Sequence, residues 1–197
     1  LDINDNPNYV ANAEAKNLFP SAEASTVAVL GLYGQITGNF WCQYYTQGNS
    51  TNQYNTVSIY QVTTGSSTPP CTSLWINSYS NALEDLKVAM KSASETGSWE
   101  YYMASEILMA YNYLMLTDSY GDIPFTEALN SDVKSPKFDD SKSVVYPGIL
   151  AMLDDDESVS RLSGLIASLE DKPEEPVEEC IQGLIKSKLE NELKLLQ

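Results

Sequence analysis

The stretch from Ser98 to Leu129, SWEYYMASEILMAYNYLMLTDSYGDIPFTEAL, limits the fold more than any other part of the sequence. Ser98 follows Gly97 and stands where an N-cap belongs, and no Pro or Gly interrupts the run before Gly121. Met103, Ile107, Ala110, Tyr111 and Leu114 recur at helical spacing. Ala104, Leu108, Met109, Tyr113 and Met115 fill the other faces, and Glu106 is the only charge between Tyr101 and Thr117. A helix that is apolar nearly all round must be packed on several sides. Its Ser, Asn and Glu residues rule it out as a membrane span.

The run stops in Thr117-Asp118-Ser119-Tyr120-Gly121-Asp122-Ile123-Pro124-Phe125. Gly121 suits a left-handed C-terminal turn, and Pro124 prevents the helix from continuing. Asp118 and Asp122 flank Tyr120, and Glu127 follows, so two carboxyls could approach as in a glycosidase. Among 27 acidic residues such spacings arise by coincidence, and Asp in a turn also serves local hydrogen bonds. The reading adopted is therefore structural, not catalytic.

Upstream, Leu74 to Ala93 reads as a helix with Leu74, Ile76 (or Asn77), Tyr79 (or Ser80), Leu83, Leu86 and Met90 toward a core. Glu84, Lys87 and Lys91 take its wet side. The link Glu95-Thr96-Gly97-Ser98 is so short that this helix and the next must pair antiparallel. A further helix is expected from Ser21 to about Trp41, with Val27, Leu30, Tyr33 (or Gly34), Gly38 and Trp41 on one face. Gly31, Gly34 and Gly38 suggest a stripe where another helix approaches its backbone. Residues 130–144 read as a polar loop, and Val145 to Leu153 opens another helix. The expected class is mainly α, built of helical hairpins with long loops.

Asn39 to Tyr60, NFWCQYYTQGNSTNQYNTVSIY, contains no charge at all. Its rings alternate with amides and hydroxyls, which supply donors, acceptors and apolar faces with polar tips. Those are the materials of a neutral polyol or sugar site. Trp41, Gln43, Tyr45, Gln47, Asn49, Asn52, Tyr54 and Tyr60, with Trp75 at the start of the next helix, are the candidate ligand-binding residues. A pyranose lays its C–H face on a ring while side-chain amides reach its hydroxyls. The competing reading is that half of these rings pack the end of the preceding helix.

A net charge of −16 argues against nucleic acid and against anionic lipid. The sequence has no His, which removes the commonest general base and metal ligand. Cys42, Cys71 and Cys180 lack metal or redox spacing, and Cys42 with Cys71 is the candidate disulfide. Asp2-x-Asn4-x-Asn6 opens like a calcium loop, but Pro7 and Ala13 stand where that loop needs Gly and Glu. No cofactor or metal is expected. The chain starts at Leu1 without an apolar leader, so any signal peptide is expected to lie upstream.

The helix running into LTDSYGDIPFTEAL, then Pro136-Lys137-Phe138-Asp139 and a helix opened by Tyr146, resembles the SusD/RagB family of outer-membrane nutrient-binding lipoproteins. That family carries a T-D-x-aromatic-G-D-aliphatic-P-aromatic turn, then a P-x-aromatic-D segment, in the same order. LDINDNPN is also similar to the start of its mature members. The resemblance covers about residues 1–153. It implies a fold of tetratricopeptide-like helix pairs and a non-catalytic lipoprotein on the outer-membrane surface. It also implies glycans or other nutrients as ligands, delivered to a SusC-type TonB-dependent transporter. The alternative is a tetratricopeptide-like scaffold for proteins with no small-ligand site.

After Leu153 the pattern departs. All 20 aromatic residues fall at or before Tyr146, and from Asp154 on the chain carries a net charge of −7. The family pattern would continue into much more chain. Two parts are therefore expected, a SusD-like helical domain over 1–153, incomplete by the family pattern, and an acidic, aromatic-free helical tail over 154–197. That tail would cover apolar surface or pair with a partner.

Overall fold

The computed structural model describes residues 13–48, 53–60, 70–153 and 186. Seven α-helices carry them: α1 (Ala15–Ala28), α2 (Gln35–Trp41), α3 (Asn55–Ser58), α4 (Pro70–Asn77), α5 (Glu84–Thr96), α6 (Trp99–Tyr120) and α7 (Tyr146–Leu153). π-helical turns at Val29–Gly34 and Ser78–Leu83 join α1 to α2 and α4 to α5, and a third at Ser141–Val145 leads into α7. Among the described residues no strand forms, and extended backbone pairs only at the bridge between Ile123 and Asp139. The class is mainly α, as expected.

α6 is the axis of the fold. α1, α5 and α7 all pack on it, which is why hydrophobic side chains occupy every face. Met103, Ile107, Met109, Ala110, Tyr113, Leu114 and Leu116 are buried along it. α5 ends at Gly97 with φ 73°, and the chain reverses through Ser98 into α6 as an antiparallel hairpin. Ser98 holds the N-cap position, but its side chain makes no cap bond; its Oγ lies 3.0 Å from Thr96 Oγ1 instead.

Two expected helix starts move upstream. α1 begins at Ala15, not Ser21, and carries Pro20 inside it. An interior proline removes one backbone hydrogen bond, but packing holds the turns before it. Phe19 meets the Tyr101 edge at 6.0 Å, and Leu18 packs beside Ala89 and Ala93. Ser21 caps nothing; its hydroxyl donates to Asp85 at 2.9 Å. The next helix begins at Pro70, a residue whose fixed φ and missing N–H suit a first turn.

The stripe predicted for the 74–93 helix holds at Leu74, Leu83 and Leu86, with Tyr79 and Met90 packed against the core, whereas the one predicted for α1 and α2 fails, for two reasons. Val27 is 61% exposed, whereas Ala22, Thr26 and Val29 face the core. Thr26 is there because its hydroxyl accepts from Asn112 Nδ2 at 2.9 Å and donates to the Ala22 carbonyl. A polar pair thus joins α1 to α6, where an apolar stripe was expected. The π-turns do the rest. Each adds a residue to a helical turn and rotates the remainder of the helix by about 100°. In α4 Ile76 is 51% exposed because it stands two residues, about 200°, round the helix from the buried Leu74. Gly31 and Gly38 are exposed with nothing near their missing Cβ, and of the glycine stripe only Gly34 approaches a neighbour, Met115, at 3.7 Å.

The side chain of Tyr33, and the expectations placed on the first twelve residues, on Asn49 and Asn52, on the 61–69 loop and on the acidic tail apart from Lys186, lie outside the described residues.

Candidate functional site

The Ser98–Leu129 motif and the segment after it close on one another through hydrogen bonds. Thr117 Oγ1 donates to the Gly121 carbonyl at 2.8 Å, bending the chain out of α6 at φ 77°, ψ −117°. Ile123 and Asp139 exchange backbone bonds at 2.9 and 3.3 Å. The Asp139 carboxylate, 5% exposed, accepts from the Phe125 and Thr126 amides and the Thr126 hydroxyl. Asp118 accepts from the Tyr146 hydroxyl at 2.9 Å, Asp122 from the Ser141 amide at 2.8 Å and Glu127 from the Lys137 amide at 3.0 Å. Each carboxylate that the spacing offered as a catalytic acid therefore holds a different piece of the following segment. The motif is a structural clasp.

The uncharged aromatic stretch forms a separate surface. Trp41 is the last residue of α2, and Tyr60 follows α3. Their rings lie 6.5 Å apart at an interplanar angle of 33°, with Tyr60 54% and Trp41 38% exposed. Tyr60 donates its hydroxyl to the Trp41 carbonyl at 2.8 Å, and Gln43 Nε2 donates to the Tyr60 hydroxyl at 3.3 Å. Gln43 and Tyr60 both have φ near +60°, a conformation that L side chains adopt at some strain. Two strained residues bonded to one another fix the ring pair. Tyr44 and Tyr45 stand exposed beside them in sequence.

Other candidates serve the loop itself. Gln47 Oε1 accepts from the Tyr54 amide at 2.6 Å, and the Tyr54 ring packs on Phe40 at 5.8 Å. Gln53 Nε2 donates to the Tyr54 hydroxyl at 3.1 Å. Cys42 is an exposed free thiol, and the side chain of Cys71, its candidate disulfide partner, lies outside the described residues.

Trp75 belongs to a second aromatic cluster. Its ring stacks on Phe138 (5.8 Å, 21°) and meets Tyr79 and Tyr120 at 5.0 Å each. The Tyr79 hydroxyl donates to the Pro124 carbonyl at 2.6 Å, and burial pushes its pKa well above the ordinary tyrosine value. The rings of Trp75, Tyr79 and Phe138 wall a groove of about 550 Å³ whose lining also includes Glu84 and Lys134. Phe138 and Tyr79 were not among the residues expected to bind; Phe138 carried a signal, as the aromatic of Pro136-Lys137-Phe138-Asp139.

Among the described residues no group of three or more His, Cys, Asp or Glu could hold a metal ion. Nor is any described helix long and apolar enough to cross a membrane. A family model for SusD-like proteins, described as starch-binding and associating with the outer membrane, matches residues 7–168. The match runs past Leu153, where the sequence resemblance was placed. No curated protein matches the chain.

Proposed function

The chain belongs to the SusD-like family, and from that premise we propose that it binds neutral glycans at the outer-membrane surface without transforming them. In this reading it hands them to a SusC-type TonB-dependent transporter, as an anchored lipoprotein would. The observation that carries the ligand class is the Trp41–Tyr60 pair, two exposed rings held beside one another at a tilt of 33° and flanked by amides in a stretch without charge. A neutral site suits a neutral sugar, because a buried charge needs a partner that a sugar does not offer. Trp41, Gln43, Tyr45 and Tyr60 are the proposed contacts. Gln47 and Tyr54 order the same loop through the hydrogen bond from the Tyr54 backbone amide to Gln47 Oε1. Asn49 and Asn52 belong to the proposal by their chemistry alone.

Binding without catalysis fits the clasp, in which Asp118, Asp122 and Glu127 each hold a backbone or side-chain donor. Titration calorimetry against starch-derived and other neutral oligosaccharides tests the proposal. Affinities of roughly micromolar to millimolar are expected, about −4 to −8 kcal/mol. A protein that takes up none of them, yet captures other proteins through the α5–α6 hairpin, would be the tetratricopeptide-like scaffold instead.

A further inference from the structure

Phe138 is 64% exposed, yet it is not a loose side chain. The residue before it is tied by the Lys137 amide to Glu127, and the residue after it by Asp139 to Ile123, Phe125 and Thr126. An apolar ring is thus clamped from both sides at the mouth of a groove, nearly parallel to the Trp75 ring behind it. Its outer face is available as a flat platform.

Another residue of the lining carries its own sign of a built site. Three described residues other than Gly have positive φ: Gln43 and Tyr60 at the first surface, and Leu129 here, with φ 59°. Leu129 lines the groove, and Lys87 Nζ donates to its carbonyl, holding the strained backbone in place. Backbone held out of its preferred wells tends to cluster at ligand sites. About 550 Å³ falls within the roughly 300–1,000 Å³ of small-molecule sites. The polar lining offers the Ser80 and Ser135 hydroxyls, one carboxylate, Glu84, and one ammonium, Lys134. Opposite charges in equal number leave the groove without a net charge to satisfy.

We propose that this groove is a second saccharide site, in which a pyranose ring lays its C–H face on Phe138 and turns its hydroxyls toward Ser80, Glu84 and Ser135. Clamping the ring beforehand lowers the ordering that binding requires. The inference rests on the glycan-binding reading above, and it adds a second place on the chain where one glycan class is held.

The test is calorimetric titration of the full 197-residue chain with maltohexaose, an α-glucan oligomer chosen because the family description names starch. Wild type should show two binding components. Phe138→Ala should weaken one of them about tenfold and leave the other in place, and Phe138→Tyr, which keeps the ring, should restore it. Phe138→Leu, apolar but ringless, should behave as Ala does and guards against a folding artefact. If wild type binds maltohexaose and Phe138→Ala matches it, the groove proposal is overturned while the function stands. If wild type binds no glycan at all, both are overturned. A shift in oligomeric state on Phe138→Ala would make the groove a protein contact and also overturn the saccharide site.

Discussion

Asp139 holds Thr126 by two atoms at once: the Thr126 amide donates to Oδ2 at 2.7 Å and its hydroxyl donates to the same oxygen at 2.9 Å. Burial by itself would push this carboxyl up. The Thr126 bonds, the Phe125 amide and the nearby Lys137 ammonium, 3.5 Å from Oδ1, outweigh that and hold its pKa below the ordinary value. A carboxylate whose folded pKa is depressed stabilises the fold above its unfolded pKa, about 3.9 for Asp, and loses that contribution as pH falls through the folded value.

Asp139→Asn should therefore destabilise the chain by about 1–3 kcal/mol, since a neutral amide leaves part of three donors unsatisfied. The pH profile makes the test specific. Melting temperature of the wild type should decline from pH 5 to pH 3 more steeply than that of the variant. Parallel profiles would remove Asp139 from the acid sensitivity of the fold.

Gly121 sits at φ 77°, ψ −117°, which is outside even the left-handed helical well that Asn can use. Nothing lies within 4 Å of where its Cβ would be, so any effect of a side chain there is backbone strain alone. Gly121→Ala and Gly121→Asn should both cost about 1–3 kcal/mol in urea melts, with Asn no better than Ala. An Asn variant close to wild type would mean that the turn relaxes into the left-handed well.

How far the sequence led can be judged residue by residue. α6 was legible because its apolar side chains surround the axis, and that pattern permits nothing but burial. Gly121 and Pro124 were legible because local chemistry alone decides their turn. Thr26 and Asn112 were not, since their worth depends on finding each other across 86 positions. The π-turns were missed for a related reason. They shift the register of a helix in response to packing, and no periodicity in one segment announces them. The Asn39–Tyr60 composition offered rings beside amides, but it could not separate Tyr60, on the surface, from Tyr54, set against Phe40. Trp75 looked like part of the same surface and instead meets Phe138, 63 positions away in sequence.

Gly148, in α7, faces the Phe125 ring so closely that a Cβ would stand 2.3 Å from Cε1 and 2.8 Å from Cζ. Alanine is favoured over glycine in a helix by about 1 kcal/mol. Here the clash should win, because Phe125 is itself held edge-on against Tyr113 at 4.8 Å and has little room to retreat. Gly148→Ala is expected to destabilise by about 1–3 kcal/mol net. Phe125→Leu should absorb much of that loss, so the double variant should be more stable than the sum of the singles implies. Strict additivity would place the cause elsewhere.

The two tyrosines of the uncharged stretch give opposite predictions. Tyr54 packs its ring on the buried Phe40 and its hydroxyl accepts from Gln53, so Tyr54→Ala should lower the melting temperature and disturb binding only through the loop. Tyr60 exposes half its surface, and its ring faces Trp41. Tyr60→Ala should weaken binding of the best neutral glycan by about 1–2 kcal/mol, the scale of the contact area lost, with little change in melting. Tyr60→Phe separates ring from hydroxyl. It keeps the stacking face but releases the bonds to the Trp41 carbonyl and Gln43, so its affinity should fall between wild type and Tyr60→Ala. Calorimetry on these variants against one oligosaccharide decides the matter. Equal affinity for wild type and Tyr60→Ala would remove the Trp41–Tyr60 pair from the binding surface, whatever the groove at Phe138 does.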